Sequence, residues 1–308
     1  EVFTPEFLPE TLPTAATPES AARTPLGQTA PTPILLAQAE DATATEPPAL
    51  PTLELLEAPT GDFDLEIRGT EVPGLGAGRQ GYLPLEALRS LPTHRFEGGY
   101  YDGETVHQAE IEGVFLADLM DALGVPESQD FVLADCADAY QSNYTRAQIE
   151  RHRPYFILSI DGQPHEEWAN AKIGPHYLRI ANEDGLLDPN NKKPYAVQRL
   201  RFTTYAQATA DFYSGNFAEL PEGAVRGREI YLNACINCHS LDQNSSFGGD
   251  LSTSLVRTLG IQAKHNPDYF NLVTRNPATY LPDSPMPSYD HYTEAHMQAL
   301  IDFLAAHE

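Results

Sequence analysis

Residues 235–239 read CINCH, two thiols three positions apart with an imidazole directly after them. Few short patterns restrict a chain more. On one turn of backbone, both thiols can add to the vinyl groups of a haem while the adjacent histidine faces the iron. Read alone, the pair could also be a redox dithiol or half of a zinc site. Zinc asks for two further Cys or His at matched spacing, and a thioredoxin-type dithiol asks for a βαβ setting. Neither surrounds this motif. The pattern therefore predicts one covalent haem c, attached through Cys235 and Cys238, with His239 as an axial ligand of the iron.

The opposite axial ligand must come from elsewhere in the chain. Of three methionines, Met286 lies in SPMPSY, 47 residues beyond His239, where flanking prolines can present its sulfur without help from a helix face. Met297 sits in the closing helical segment at a spacing that suits packing, and His265 and His291 are rivals because bis-histidine haems exist. A thioether ligand stabilises ferrous iron and raises the potential relative to imidazole. With both axial positions filled, the expected role is electron transfer and not oxygen binding.

Around the motif the chain is helical, from GAVRGREIYLNACINCHS to a closing amphipathic stretch, YTEAHMQALIDFLAAH, with Met297, Leu300, Ile301 and Leu304 on one side. Residues 219–308 resemble a class I cytochrome c domain through RGREIYLNACINCH, FGGDLS, NPATYLPDSPMPSY and that closing helix. The resemblance implies an all-α haem domain. In that family a Gly-Pro-x-Leu stretch follows the haem motif, and its proline carbonyl accepts a hydrogen bond from the proximal histidine. Here the stretch is Gly248-Gly249-Asp250-Leu251, which keeps the carbonyl and predicts a looser loop.

Between roughly residues 60 and 212 the texture is β-rich. FDLEIRG alternates, with Phe63, Leu65 and Ile67 on one face. YLPLEALRSLP and VFLADLMDALGV are short helices closed by proline or glycine, and THRFEGGYYDGETVHQAEIEG is β-type sequence broken by glycine turns. FVLADCADAY, PYFILSIDGQPH, HYLRIAN and YAVQRLRFTTY read as further strands. The expected fold is a β-rich α+β domain. LEIRG, LPLEALRSLPTHRFEG, IEGVFLADLMDALGV, VLADCADAY, FILSIDGQP and GPHYLRI follow one another in an order that resembles the molybdopterin-binding domain of the sulfite oxidase family, over about residues 61–203. That resemblance implies Cys136 as a molybdenum ligand, and thiolate suits such a metal. Arg95, Arg146, Arg151, His152, Arg153 and Lys172 are candidates for the cofactor phosphate. A lone buried cysteine is also ordinary core material. A domain retained as a docking or scaffold module is therefore expected ahead of a sulfite-type dehydrogenase feeding its own haem.

Residues 1–58 hold ten of the 26 prolines, nine acidic residues and one basic residue, Arg23, a composition unable to bury enough apolar surface to fold alone. They read as an extended, semi-stiff tether, followed by a sheet domain over 59–212 and a monohaem cytochrome domain over 213–308. With 44 acidic and 19 basic side chains the net charge is -25, which disfavours nucleic acid and anionic membranes as partners. A redox protein or membrane electron-transfer complex presenting a basic surface fits better. No stretch approaches the roughly 18–20 apolar residues of a membrane span. CINCH takes two of the three cysteines and leaves Cys136 alone, so no structural disulfide is expected. The first residue, Glu1, is consistent with a removed leader. Haem attachment of this kind predicts a periplasmic or equivalent extracytoplasmic setting, peripheral to a membrane complex in one version.

Overall fold

The computed structural model describes residues 50–76, 78–101, 106–164, 176, 178–180, 192–214, 218–240, 247–249, 256–282, 284 and 286–306. The proline-rich stretch read as a tether lies outside the described residues up to position 49. Its last part does not behave as a tether. Leu56 bridges to Tyr82, the Leu53 amide donates to the Ala122 carbonyl, and Leu50, Leu53 and Leu55 pack on the core of the sheet domain.

The sheet-rich part runs β1 (Leu65–Gly69), β2 (Gln80–Leu83), α1 (Leu85–Arg89), β3 (His94–Tyr101), β4 (Val106–Phe115), α2 (Leu116–Ala122), β5 (Phe131–Cys136), β6 (Gln141–Thr145) and α3 (Arg146–His152). It continues with β7 (Pro154–Ile160), β8 (Gln163–Pro164), β9 (Leu178–Ile180), β10 (Val197–Thr203) and α4 (Tyr205–Ala208). One sheet has the order β2-β1-β10-β5-β6, with β1 and β10 parallel and the other pairs antiparallel. The second runs β3-β4-β7-β8, and β9 adds to β7. Between them lies a core of Leu65, Ile67, Val132 and Ala134 from the first sheet and Val114, Phe156, Leu158 and Leu178 from the second, closed by Leu88, Leu119 and Ile149 of α1, α2 and α3.

β5 decides how the rest attaches. Successive side chains of a strand face opposite ways, and here Val132, Ala134 and Cys136 enter the core between the sheets. Phe131 and Leu133 enter a different core, shared with Phe212, Ile230, Phe247 and Phe303. Both faces of β5 are buried, which is why FVLADC is apolar without alternation.

The C-terminal part is helical: α5 (Glu222–Asn233), a 3-10 turn at Cys235–Asn237, α6 (Val256–His265), α7 (Pro267–Arg275), α8 (Pro277–Tyr280) and α9 (Glu294–Ala305). Met297, Leu300 and Leu304 are buried as their spacing predicts, while Ile301 is half-buried. α5 and α9 cross with their backbones nearly touching. A Cβ on Gly227 would stand 1.9 Å from the Ala299 carbonyl oxygen. Thr293 caps α9 with a reciprocal bond pair to His296. Among the described residues no helix is long and apolar enough to cross a membrane.

Candidate functional site

α5 delivers the CINCH turn. The helix ends at Asn233, and the His239 amide then donates to the Cys235 carbonyl at 2.9 Å, which closes the turn on itself. Tyr231, one helical turn before Cys235, is fully buried, and its hydroxyl donates to the His239 carbonyl at 2.6 Å. Cys235, Cys238 and His239 are half-buried and face a cavity of about 390 Å³. Its walls are mostly apolar, with Leu259, Phe270, Val273, Leu300 and Leu304 from α6, α7 and α9. Met286 lines the same cavity from the far segment, and its amide donates to Ser284 Oγ at 3.2 Å. Of the two prolines thought to fix that loop, Pro287 lines the cavity and Pro285 lies outside the described residues.

The rivals for the second axial position stand elsewhere. Met297 is buried in the helical core, and neither His265 nor His291 is among the residues lining the cavity. His291 is instead 3.9 Å from Asp290 and packs edge-on to Tyr292. The donor set fits a covalent haem: two thiols, an imidazole and a thioether converge on one apolar chamber with a partly open mouth. Cys235, Cys238, His239 and Met286 are the residues that would hold it.

The loop after the motif differs from the looser one expected of Gly248-Gly249. Gly248 has φ +110, a value that suits glycine, and its amide donates to Gln141 Oε1 at 2.8 Å. The Gly249 amide donates to the Ile236 carbonyl at 2.8 Å. A Cβ on Gly249 would lie 1.8 Å from the Asn237 carbonyl oxygen, so the loop lies flush on the CINCH turn. Asp250 and Leu251 lie outside the described residues.

Asn143 was not legible as a site residue. It is buried on β6, and its Nδ2 donates to Asn237 Oδ1 at 2.9 Å and to the Leu232 carbonyl at 3.4 Å. Asn237 is one of the two unrestricted positions in CxxCH, so the motif carries no signal for this partner.

Cys136 ends β5 as expected and is buried. Burial pushes its thiol well above the usual range, Asp138 and Asp135 push the same way, and a backbone hydrogen bond from Tyr195 opposes them. The cations named for a cofactor phosphate have other partners where they are described. Arg95 pairs with Glu112 at 3.1 Å, Arg146 donates to the Pro126 carbonyl at 3.0 Å, and Arg153 lies 3.9 Å over the Phe115 ring. His152 is buried, Arg151 is exposed, and Lys172 lies outside the described residues.

Fold and site together define a sheet domain carrying a C-terminal helical cytochrome domain. Residues 224–308 match the family model for cytochrome c, and the C-terminal region is a cytochrome c domain. That family supports a covalent haem c and a haem electron carrier. No curated protein matches the chain. Among solved structures, the chain is similar to the sulfane dehydrogenase SoxCD from Paracoccus pantotrophus, at 17% identity and a TM-score of 0.36, over 49% of this chain. The match spans 40% of that protein's length, and at this level it bears on neither substrate nor activity.

Proposed function

We propose that the chain is an extracytoplasmic c-type cytochrome that relays single electrons, with its sheet domain serving as a docking or scaffold module in a larger redox complex. The observation that carries this reading is the meeting of Cys235, Cys238, His239 and Met286 on one apolar cavity. Haem, when bound, supplies a one-electron iron couple. The chain does the rest. The cysteines would fix the group, His239 and Met286 would supply ligands to its iron, and Leu300, Leu304 and Phe270 would keep water away. Exclusion of water and a thioether ligand both favour the less charged ferrous state. The acidic composition favours a donor or acceptor with a basic face.

The second reading is a molybdenum-dependent sulfite-type dehydrogenase feeding its own haem. The position of Cys136 at the end of β5 speaks for it, and the engagement of Arg95 with Glu112 and of Arg146 with the Pro126 carbonyl speaks against it. Voltammetry and metal analysis on the natively purified protein separate the two. The carrier reading expects one reversible one-electron wave, one iron per chain and no molybdenum. Stoichiometric molybdenum with a sulfite-dependent catalytic current would overturn it.

A further inference from the structure

The outer face of β5 and β6 carries three cross-strand pairs, Phe131 with Thr145, Leu133 with Asn143 and Asp135 with Gln141. Two of these pairs extend amide side chains toward the haem-motif turn, one to Asn237 within it and one to the loop that follows it. Gln141 Nε2 donates to Asp135 Oδ1 at 2.7 Å, and its Oε1 accepts from the Gly248 amide at 2.8 Å. Behind it, Arg201 holds both oxygens of Asp135 at 2.8 and 2.9 Å. Asn143 is held in the same way: Lys192, itself buried, donates its Nζ to Asn143 Oδ1 at 2.8 Å. That leaves Asn143 Nδ2 to donate to Asn237 Oδ1 and the Leu232 carbonyl. In each case a charged group on the sheet domain fixes which end of the amide meets the haem motif, so the orientation is determined by chemistry.

We propose that Gln141 and Asn143, although they belong to the sheet domain, are positioning residues for the haem, Gln141 by holding the 248–249 loop and Asn143 by holding Asn237 within the motif turn. Gly248 has neither a Cβ nor a ring to restrain it, and its φ of +110 is held by the bond to Gln141. The loop in turn lies against the backbone beside His239. A Cβ on Gly248 would stand 2.9 Å from the Cα of Ser240, and the Gly249 amide is bonded to Ile236. Freeing Gly248 therefore loosens the wall on the His239 side and lets water reach it. On this account the sheet domain acts on the haem as well as on partners, which deepens the carrier reading and rests on it.

The test uses the full-length haem-loaded protein and the variants Gln141→Leu and Asn143→Leu. At the wild-type midpoint poise, where oxidised and reduced haem are equal, each variant is expected to raise the oxidised-to-reduced ratio roughly threefold to tenfold, the equivalent of one buried hydrogen bond. Variants that melt earlier but keep the ratio at unity would show domain adhesion only and overturn the proposal. If a variant fails to fold or to load haem, hydrogen exchange on the wild type decides. The Gly248 amide should be protected like the core strands, and exchange at the rate of an open loop overturns the proposal. A wild type with no haem spectrum would instead overturn the carrier reading, and this proposal with it.

Discussion

Gly227 is where one added methyl group should do most damage. It lies in α5 at the crossing with α9, and a Cβ there would stand 1.9 Å from the Ala299 carbonyl oxygen and 2.6 Å from the Phe303 Cβ, against a practical floor of 3.0 Å. The first obstacle is backbone, so no rotamer change relieves it, and the helices must part by about 1 Å. Parting them loosens Ile230, Leu300 and Phe303, all at 0–1% exposure. Overpacking of this kind costs about 1–3 kcal/mol, and a backbone obstacle places Gly227→Ala at about 3 kcal/mol. Gly223, in the first turn of the same helix, is the control. A Cβ there meets only the flexible Asp302 carboxylate at 3.1 Å, so alanine should gain up to about 1 kcal/mol from helix propensity. The assay is urea denaturation of the haem-loaded protein followed by haem absorbance, which reports the helical module separately from the sheet core. A loss below about 0.5 kcal/mol for Gly227→Ala, or an equal loss for Gly223→Ala, would refute the reasoning.

Tyr231→Phe removes the 2.6 Å bond to the His239 carbonyl without changing packing, and should lower the same transition by about 1 kcal/mol in urea melts. His296 is held below the usual imidazole range by partial burial and then by Arg226 and His291. Its Nδ1 faces the Thr293 amide and its Nε2 faces Arg226; the neutral ring has one acceptor nitrogen for these two donors, and protonation removes it. Because the folded value is the lower one, the unfolded chain takes up the proton first as pH falls through 6.5, so this contribution is full above that pH and is lost below it. Melting curves between about pH 7.5 and about pH 5 should therefore fall more steeply for the wild type than for His296→Gln, which keeps an acceptor at the capping position. Cys136 should resist iodoacetamide in the folded protein and react only on unfolding, as mass spectrometry would show. Its thiol is 8% exposed and strongly disfavours ionisation.

Much of this was readable from residues alone. The CINCH turn, the core face of α9 and the strand phase of β1 follow from short-range spacing, and Met286 and His239 line one cavity. What spacing could not show was which face of β5 meets which partner, because a strand buried on both sides loses its alternation. α6 and α7 were missed for a related reason, since Ile261, Tyr269 and Leu272 remain exposed and break up an apolar stripe. Gln141 and Asn143 were invisible because a polar strand residue reads as solvent-facing until something is known to cover it. Tyr231 could have been found: an aromatic one helical turn before the first cysteine of the motif lies beside it on the same helix face.

The central claim is a covalent haem at Cys235 and Cys238. Intact mass spectrometry of the natively purified protein under denaturing conditions tests it most directly. The account predicts the polypeptide mass plus one haem, retained through acid and organic solvent, and loss of that increment in the Cys235→Ala/Cys238→Ala double variant. A bare polypeptide mass, or a haem that extracts into solvent and leaves two alkylatable thiols, would contradict it.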